Sequence, residues 1–118
     1  MDQAIALQRR AVALLATGDA GARAHALRHL ADMLSDAGET AEAARLYASV
    51  LAHHGDADRS LDAANAVRGA ALNAQRLGDL AEARRLWTDA RDRYAELGDA
   101  LAAGAAEAEA RLAAIAPG

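Results

Sequence analysis

Gly38-Glu-Thr-Ala-Glu-Ala-Ala-Arg-Leu-Tyr47 and Gly78-Asp-Leu-Ala-Glu-Ala-Arg-Arg-Leu-Trp87 are two versions of one ten-residue phrase set 40 residues apart. Six positions are identical, and Glu/Asp and Tyr/Trp exchange at two more. Carried outward, the same shift lays residues 24–51 over 64–91. Ten of those 28 positions coincide: Ala24, Ala26, Arg28, Ala31, Gly38, Ala41, Glu42, Ala43, Arg45 and Leu46. A self-match at this period marks stacked supersecondary units.

Each phrase opens on a glycine followed by an acid, and five such pairs punctuate the chain: Gly18-Asp19, Gly38-Glu39, Gly55-Asp56, Gly78-Asp79 and Gly98-Asp99. Glycine ends a helix in the left-handed conformation, and the acid, or a neighbour such as Thr40, accepts from the free N–H groups opening the next. Asp79 with Glu82 has the spacing of a capping box. The punctuation predicts six helices, over about 2–16, 21–37, 40–54, 57–77, 80–97 and 99–115, in a single domain spanning 1–118. Composition agrees. Alanine supplies 37 of 118 residues and leucine 16, against three Val, two Ile and three Thr, so strands have almost nothing to be built from and the fold class is all-α.

Within a unit, small residues face each other. Ala31 and Ala43, matched by Ala71 and Ala83, let two helices approach closely, and Tyr47 or Trp87 plugs the gap toward the next helix. Leu27, Leu30, Leu34, Leu46 and Val50 complete the apolar stripe. Gly69 and Gly104 fall inside predicted helices and read as close-packing points.

On Leu27, Leu30-Ala31, Gly38, Ala43, Tyr47 and Val50, and again on Val67, Ala70-Ala71, Gly78, Ala83, Trp87 and Ala90, the chain resembles the tetratricopeptide repeat family. The resemblance covers two units, 21–54 and 57–97. The helix over 2–16 corresponds to the second half of a preceding unit and that over 99–115 to the first half of a following one. Leu27 and Val67 stand where the family carries an early aromatic, and Gly55-Asp56 and Gly98-Asp99 replace its terminal proline. The 40-residue period exceeds the usual ~34 and is similar to the long-helix variants found in bacterial regulators and kinesin light chains. The resemblance implies antiparallel hairpins in a short right-handed superhelix, and a scaffold that binds proteins rather than an enzyme.

The chemistry that can be excluded is considerable. All 13 basic residues are arginine, so a lysine Schiff base or a phosphate loop built on lysine is impossible. Without cysteine there is no disulfide, thiolate zinc site or thiol nucleophile. A net charge of −4 argues against general nucleic-acid binding. No apolar run approaches the roughly 18 residues of a membrane span, and Asp2, Gln3 and Arg9-Arg10 stand where a signal peptide needs its apolar stretch. A cytoplasmic protein without cofactor is the expectation. Met1 and Pro117-Gly118 have the look of natural ends, although a piece of a larger regulator would read the same way.

No nucleophile–base pair can be argued, so no catalytic residue is assigned. His25, His29 and Asp32 share a helix face at i, i+4 and i+7. That spacing suits a transition metal only with a fourth ligand, and polar-face histidines are the plainer reading. His53-His54 close a helix, where imidazolium suits the dipole. The arginines carry more. Arg28 and Arg68 are equivalent under the 40-residue shift, and Arg111 joins them under a shift of 43. In stacked hairpins the first helices of successive units line one concave surface. The candidate partner-binding wall is therefore Arg28, Arg68 and Arg111 with His25, His29, Asp32, Asn65, Leu72 and Gln75, and Arg76 beside them. Guanidinium groups with amide and imidazole neighbours suit an acidic peptide. The competing reading pairs each arginine locally, Arg28 with Asp32 and Arg111 with Glu107, leaving Arg68 to reach another helix. The alternative use of the chain is self-association. Ile5, Leu7, Val12, Leu14 and Leu15 on the first helix and Leu101, Leu112 and Ile115 on the last exceed what capping helices need, and isologous pairing of ends into a homodimer would bury them.

Overall fold

A computed structural model describes residues 2–14 and 19–115 of the chain. They form α1 (Asp2–Leu14), α2 (Ala20–Asp36), α3 (Thr40–His54), α4 (Leu61–Leu77), α5 (Leu80–Leu97), a 3-10 turn (Asp99–Leu101) and α6 (Ala102–Ile115). No strand occurs among the described residues. Met1, Leu15, Gly18 of the first junction, the end of the predicted 2–16 helix and Pro117-Gly118 lie outside them.

The helix boundaries show which punctuation works. Asp19 accepts from the N–H groups of Gly21 and Ala22 at 2.7 and 3.1 Å and starts α2. Gly78 ends α4 at φ 90°, a conformation that costs glycine nothing, and the N–H groups of Gly78 and Asp79 both return to the Ala74 carbonyl. That return explains why the capping box is only half made. Asp79 accepts from the Glu82 N–H at 3.2 Å, but its own N–H is already committed, and the Glu82 carboxylate turns to Arg85 instead. Thr40 is the first residue of α3 rather than its cap. The fourth helix begins at Leu61, not at 57. Asp58 accepts from the Ser60 N–H at 2.8 Å and the Ser60 hydroxyl from the Ala63 N–H at 3.1 Å, so Ser60 is the N-cap and Asp56 belongs to the turn before it. His54 closes this turn with Nδ1 at 2.9 Å from Asp58.

Helices pack in chain order, each on the next, and α2 also packs on α4. Connections of two and three residues at 78–79 and 37–39 return the chain on itself, making the joined helices antiparallel neighbours. The result is elongated, 43 × 28 × 21 Å. Ala31, Ala43, Ala71 and Ala83 are wholly buried, as the small-residue pattern requires. Trp87 is the largest fully buried side chain and Tyr47 is nearly as enclosed. Gly69 and Gly104 are close-packing points. A Cβ on Gly69 would stand 2.9 Å from the Tyr47 ring, and one on Gly104 2.9 Å from Tyr94 Cγ. At the chain's first helix, Gln8 donates to the Ala26 carbonyl at 3.1 Å and Arg9 forks onto Glu42 at 2.6 and 2.9 Å, tying α1 to α2 and α3.

Candidate interaction surface

Tyr47, carried by α3, reaches between α2 and α4. Its ring lies against Gly69 of α4, and its hydroxyl donates to Asp32 Oδ1 of α2. Burial, then the hydrogen bond and charge of Asp32, push the phenol well above its ordinary pKa, so the hydroxyl is a permanent donor. Arg28 donates to the other oxygen of Asp32 at 3.3 Å. The groove beside this junction, about 170 Å³, is lined by Asp32, Ser35, Tyr47, Arg68, Leu72 and Arg76 among others. Arg76 spans it from α4, donating to Ser35 Oγ and Asp36 Oδ1, both at 2.9 Å. Arg68 turns the other way and grips Glu107 of α6 through Nε and Nη2 at 2.6 and 2.9 Å. Guanidinium–carboxylate contacts thus join α4 to α2 on one side and to α6 on the other.

Asp32, Arg68 and Leu72 of the predicted wall come together in this groove, and Arg28 buttresses it from behind Asp32. Gln75 and Asn65 do not face the groove as free amides. Gln75 Oε1 accepts from Trp87 Nε1 at 2.6 Å, and Asn65 Oδ1 from the Tyr94 hydroxyl at 2.7 Å, because buried indole and phenol groups need acceptors and the facing α4 positions supply them. The predicted Arg111–Glu107 pair gives way to Arg68–Glu107. Arg111 instead holds its guanidinium 5.8 Å from the Trp87 ring centroid, a cation–π contact. His25 and His29 meet edge to face with Nε2 atoms 3.1 Å apart, a hydrogen bond that needs one neutral ring. Partial burial first, then Arg28 and His25, lower the His29 pKa. Asp32 is occupied by Arg28 and Tyr47, and among the described residues no three His, Asp or Glu side chains gather as a metal site requires.

Sequence reasoning missed Ser35, Asp36 and the Tyr47 hydroxyl as parts of the groove, and Glu107 as the partner of Arg68. Arg68 and Glu107 lie 39 residues apart, so no local spacing signals the pair. The hydrogen bonds from Arg68 hold the Glu107 carboxyl below its ordinary value of 4.5. A depressed carboxylate pKa contributes stability above the unfolded value and loses it as pH falls through the folded one. Glu107→Gln is therefore expected to destabilise by about 1 kcal/mol at pH 7, the scale of a half-exposed forked pair. The gap from wild type should narrow once pH falls below the ordinary carboxylate value of 4.5 and the folded-state carboxylate takes up its proton. Thermal melts followed by circular dichroism at pH 7, 5 and 3 check this, and a gap that does not shrink in acid contradicts the assignment.

No helix among the described residues is long and apolar enough to cross a membrane. Comparison with known proteins finds no matching family model, no matching curated protein and no matching solved structure.

Proposed function

We propose that this chain is a tetratricopeptide-like interaction module of the cytoplasm, without catalysis or cofactor, that holds a peptide or the surface of a partner protein on its α2–α4 face. In this reading α2–α3 and α4–α5 are two units of a short right-handed superhelix, flanked by α1 and α6 as halves of further units. Chain-order packing, the direct α2–α4 contact and the matching burial of Ala31 with Ala71 and Ala43 with Ala83 support it.

The observation that carries the functional reading is the groove over Leu72, which presents both signs of charge around an apolar floor. Its cations differ in availability. Arg68 is forked onto Glu107, whereas Arg76 shares a single oxygen of Asp36, whose side chain is 73% exposed. Such a solvent-screened pair contributes little and opens readily. A partner carboxylate would replace Asp36 on Arg76 while a neighbouring apolar side chain covers Leu72, so the fitting partner is an acidic segment with an apolar anchor. The wall's net charge is too balanced to hold a nucleic-acid backbone.

The test begins with capture of partners from native extract, followed by calorimetric titration of a purified partner against variants of unchanged helicity. Leu72→Glu and Arg76→Glu are each expected to weaken binding about tenfold or more. Arg45→Glu, exposed on α3, should leave it unaltered. Equal affinities for all three variants would exclude this face.

A further inference from the structure

The first and last helices each bury one face and leave another bare. On α1, Ile5, Gln8 and Val12 meet the rest of the fold, while Leu7 and Leu14 are 57% and 84% exposed. Arg10 lies between these leucines at the i+3 position, on the same face. On α6, Ala108 is buried and Ala106, Glu109, Ala110 and Ala113 are exposed. The 43-residue shift that lays Arg111 on Arg68 lays Ala106, Ala110 and Ala113 on Ala63, Val67 and Ala70. Those α4 positions are only 1, 2 and 6% exposed, because α4 is flanked by α3 and α5. On the repeat reading proposed above, α6 keeps the small apolar side chains of a unit's first helix, which packs against second helices, and α1 stands as a unit's second helix with a bare leucine face.

We propose that copies of this chain associate head to tail, α1 of one on α6 of the next. Shape favours the match, since leucines projecting from α1 fit the shallow alanine surface of α6 as large side chains fit small ones across the hairpins. Charge selects it over the alternatives. Arg10 and Glu109 form no ion pair among the described residues. Each sits at the middle of its bare face, with spacings 7/10/14 and 106/109/113. Arg10 comes opposite Glu109 in either direction: with parallel helices Leu7 and Leu14 fall on Ala106 and Ala113, and with antiparallel ones they fall within one residue of Ala113 and Ala106. Pairing α1 with α1 would set Arg10 against Arg10, and α6 with α6 would set Glu109 against Glu109. The isologous dimer expected from the end helices is thus the disfavoured geometry. A head-to-tail contact leaves α6 of one copy and α1 of another open in a pair, so association extends beyond two copies, into a ring or an open chain. None of these residues lines the α2–α4 groove, and the two surfaces stand or fall separately.

The experiment is sedimentation velocity on the full chain from about 10 μM to about 1 mM, the span over which a small interface associates. Wild type is expected to rise in mass with concentration past that of a dimer. Arg10→Glu and Glu109→Arg, both at exposed positions, are each expected to weaken association about tenfold or more. An equimolar mixture of the two variants restores it, because the introduced carboxylate on α1 of one then faces the introduced guanidinium on α6 of the other. A wild-type chain that stays monomeric to the highest concentration overturns the proposal. So does a dimer that stops at two copies, or association untouched by the charge reversals and not rescued by mixing.

Discussion

Trp87→Ala is expected to lower the unfolding free energy by about 3–5 kcal/mol, the cost of deleting a fully buried large aromatic. Against a total of about 5–15 kcal/mol for a domain of this kind, that brings the fold close to its threshold. The reason lies in the composition of the core. Among the described residues, alanines make up 13 of the 23 buried apolar ones, and a buried alanine has no rotamer with which to move into a void. The few large side chains therefore carry a disproportionate share of the packing, and Trp87 is wholly enclosed between α4, α5 and α6. Removal also leaves the Gln75 carbonyl without its donor and Arg111 without its ring. Trp87→Phe is the milder companion, since it keeps an aromatic ring in the site but loses the indole N–H and part of the ring volume, and it is expected to cost about 1–3 kcal/mol. Urea titration followed by far-ultraviolet circular dichroism measures both, as the fluorescence of the sole tryptophan disappears with it. A loss below about 1 kcal/mol for Trp87→Ala would mean that the helices close up over the gap, and that aromatic plugs do not set their spacing.

The helices were legible because their determinants are local. Alanine content, glycine–acid junctions and a 3.6-residue stripe act within a few positions, and the spans 40–54 and 80–97 coincide with α3 and α5. The most displaced start, at Leu61, is equally local in cause, while the last helix opens as a 3-10 turn over Asp99–Leu101 before becoming α-helical at Ala102. A serine two residues after Asp58 outcompetes Asp56 as a cap, and capping residues within one turn of each other cannot be ranked without the turn's geometry. The repeat located Ala31, Ala43, Ala71 and Ala83 for the same reason. A 40-residue match is a statement about which side chains occupy the same place in successive hairpins.

The candidate surface was legible only in part. The 40-residue shift identified Arg28 and Arg68 as equivalents, but equivalent positions need not make equivalent contacts. Arg28 meets an acid four residues on, whereas the position four beyond Arg68 is Leu72, so Arg68 takes Glu107 from a helix 39 residues away. Tyr47 and Trp87 show the same limit. Both occupy the aromatic position of the repeat, yet the phenol bonds to Asp32 and the indole to Gln75, at different heights on the preceding helix. Long side chains select partners across the interhelical space, and that selection depends on helix rotation and height, which periodicity leaves open.

Arg93 gave no sequence signal at all and yields the second large effect. It lies on α5 with its side chain 6% exposed. Nε donates to Asp89 at 2.9 Å, Nη1 to the Asp58 carbonyl at 2.5 Å and Nη2 to the Asp56 carbonyl at 3.5 Å. One guanidinium thus clamps the turn that delays the start of α4, supplying the donors that its carbonyls cannot find within a helix. Arg93→Met keeps length and apolar stem but removes all three contacts, and is expected to cost about 2–4 kcal/mol. Arg93→Lys should recover less than half of this, because a single ammonium cannot reproduce the planar fork across three acceptors. The signature is local as well as global. Amide hydrogen exchange should quicken first in the opening turn of α4 and in residues 55–60, while the α2–α3 hairpin keeps its protection. In the Arg93→Met background Asp89→Ala should add little, since the carboxylate has already lost its partner. An Arg93→Met chain as stable as wild type, with unaltered exchange at Ser60 and Leu61, would show that the turn holds itself and that the buried guanidinium is incidental.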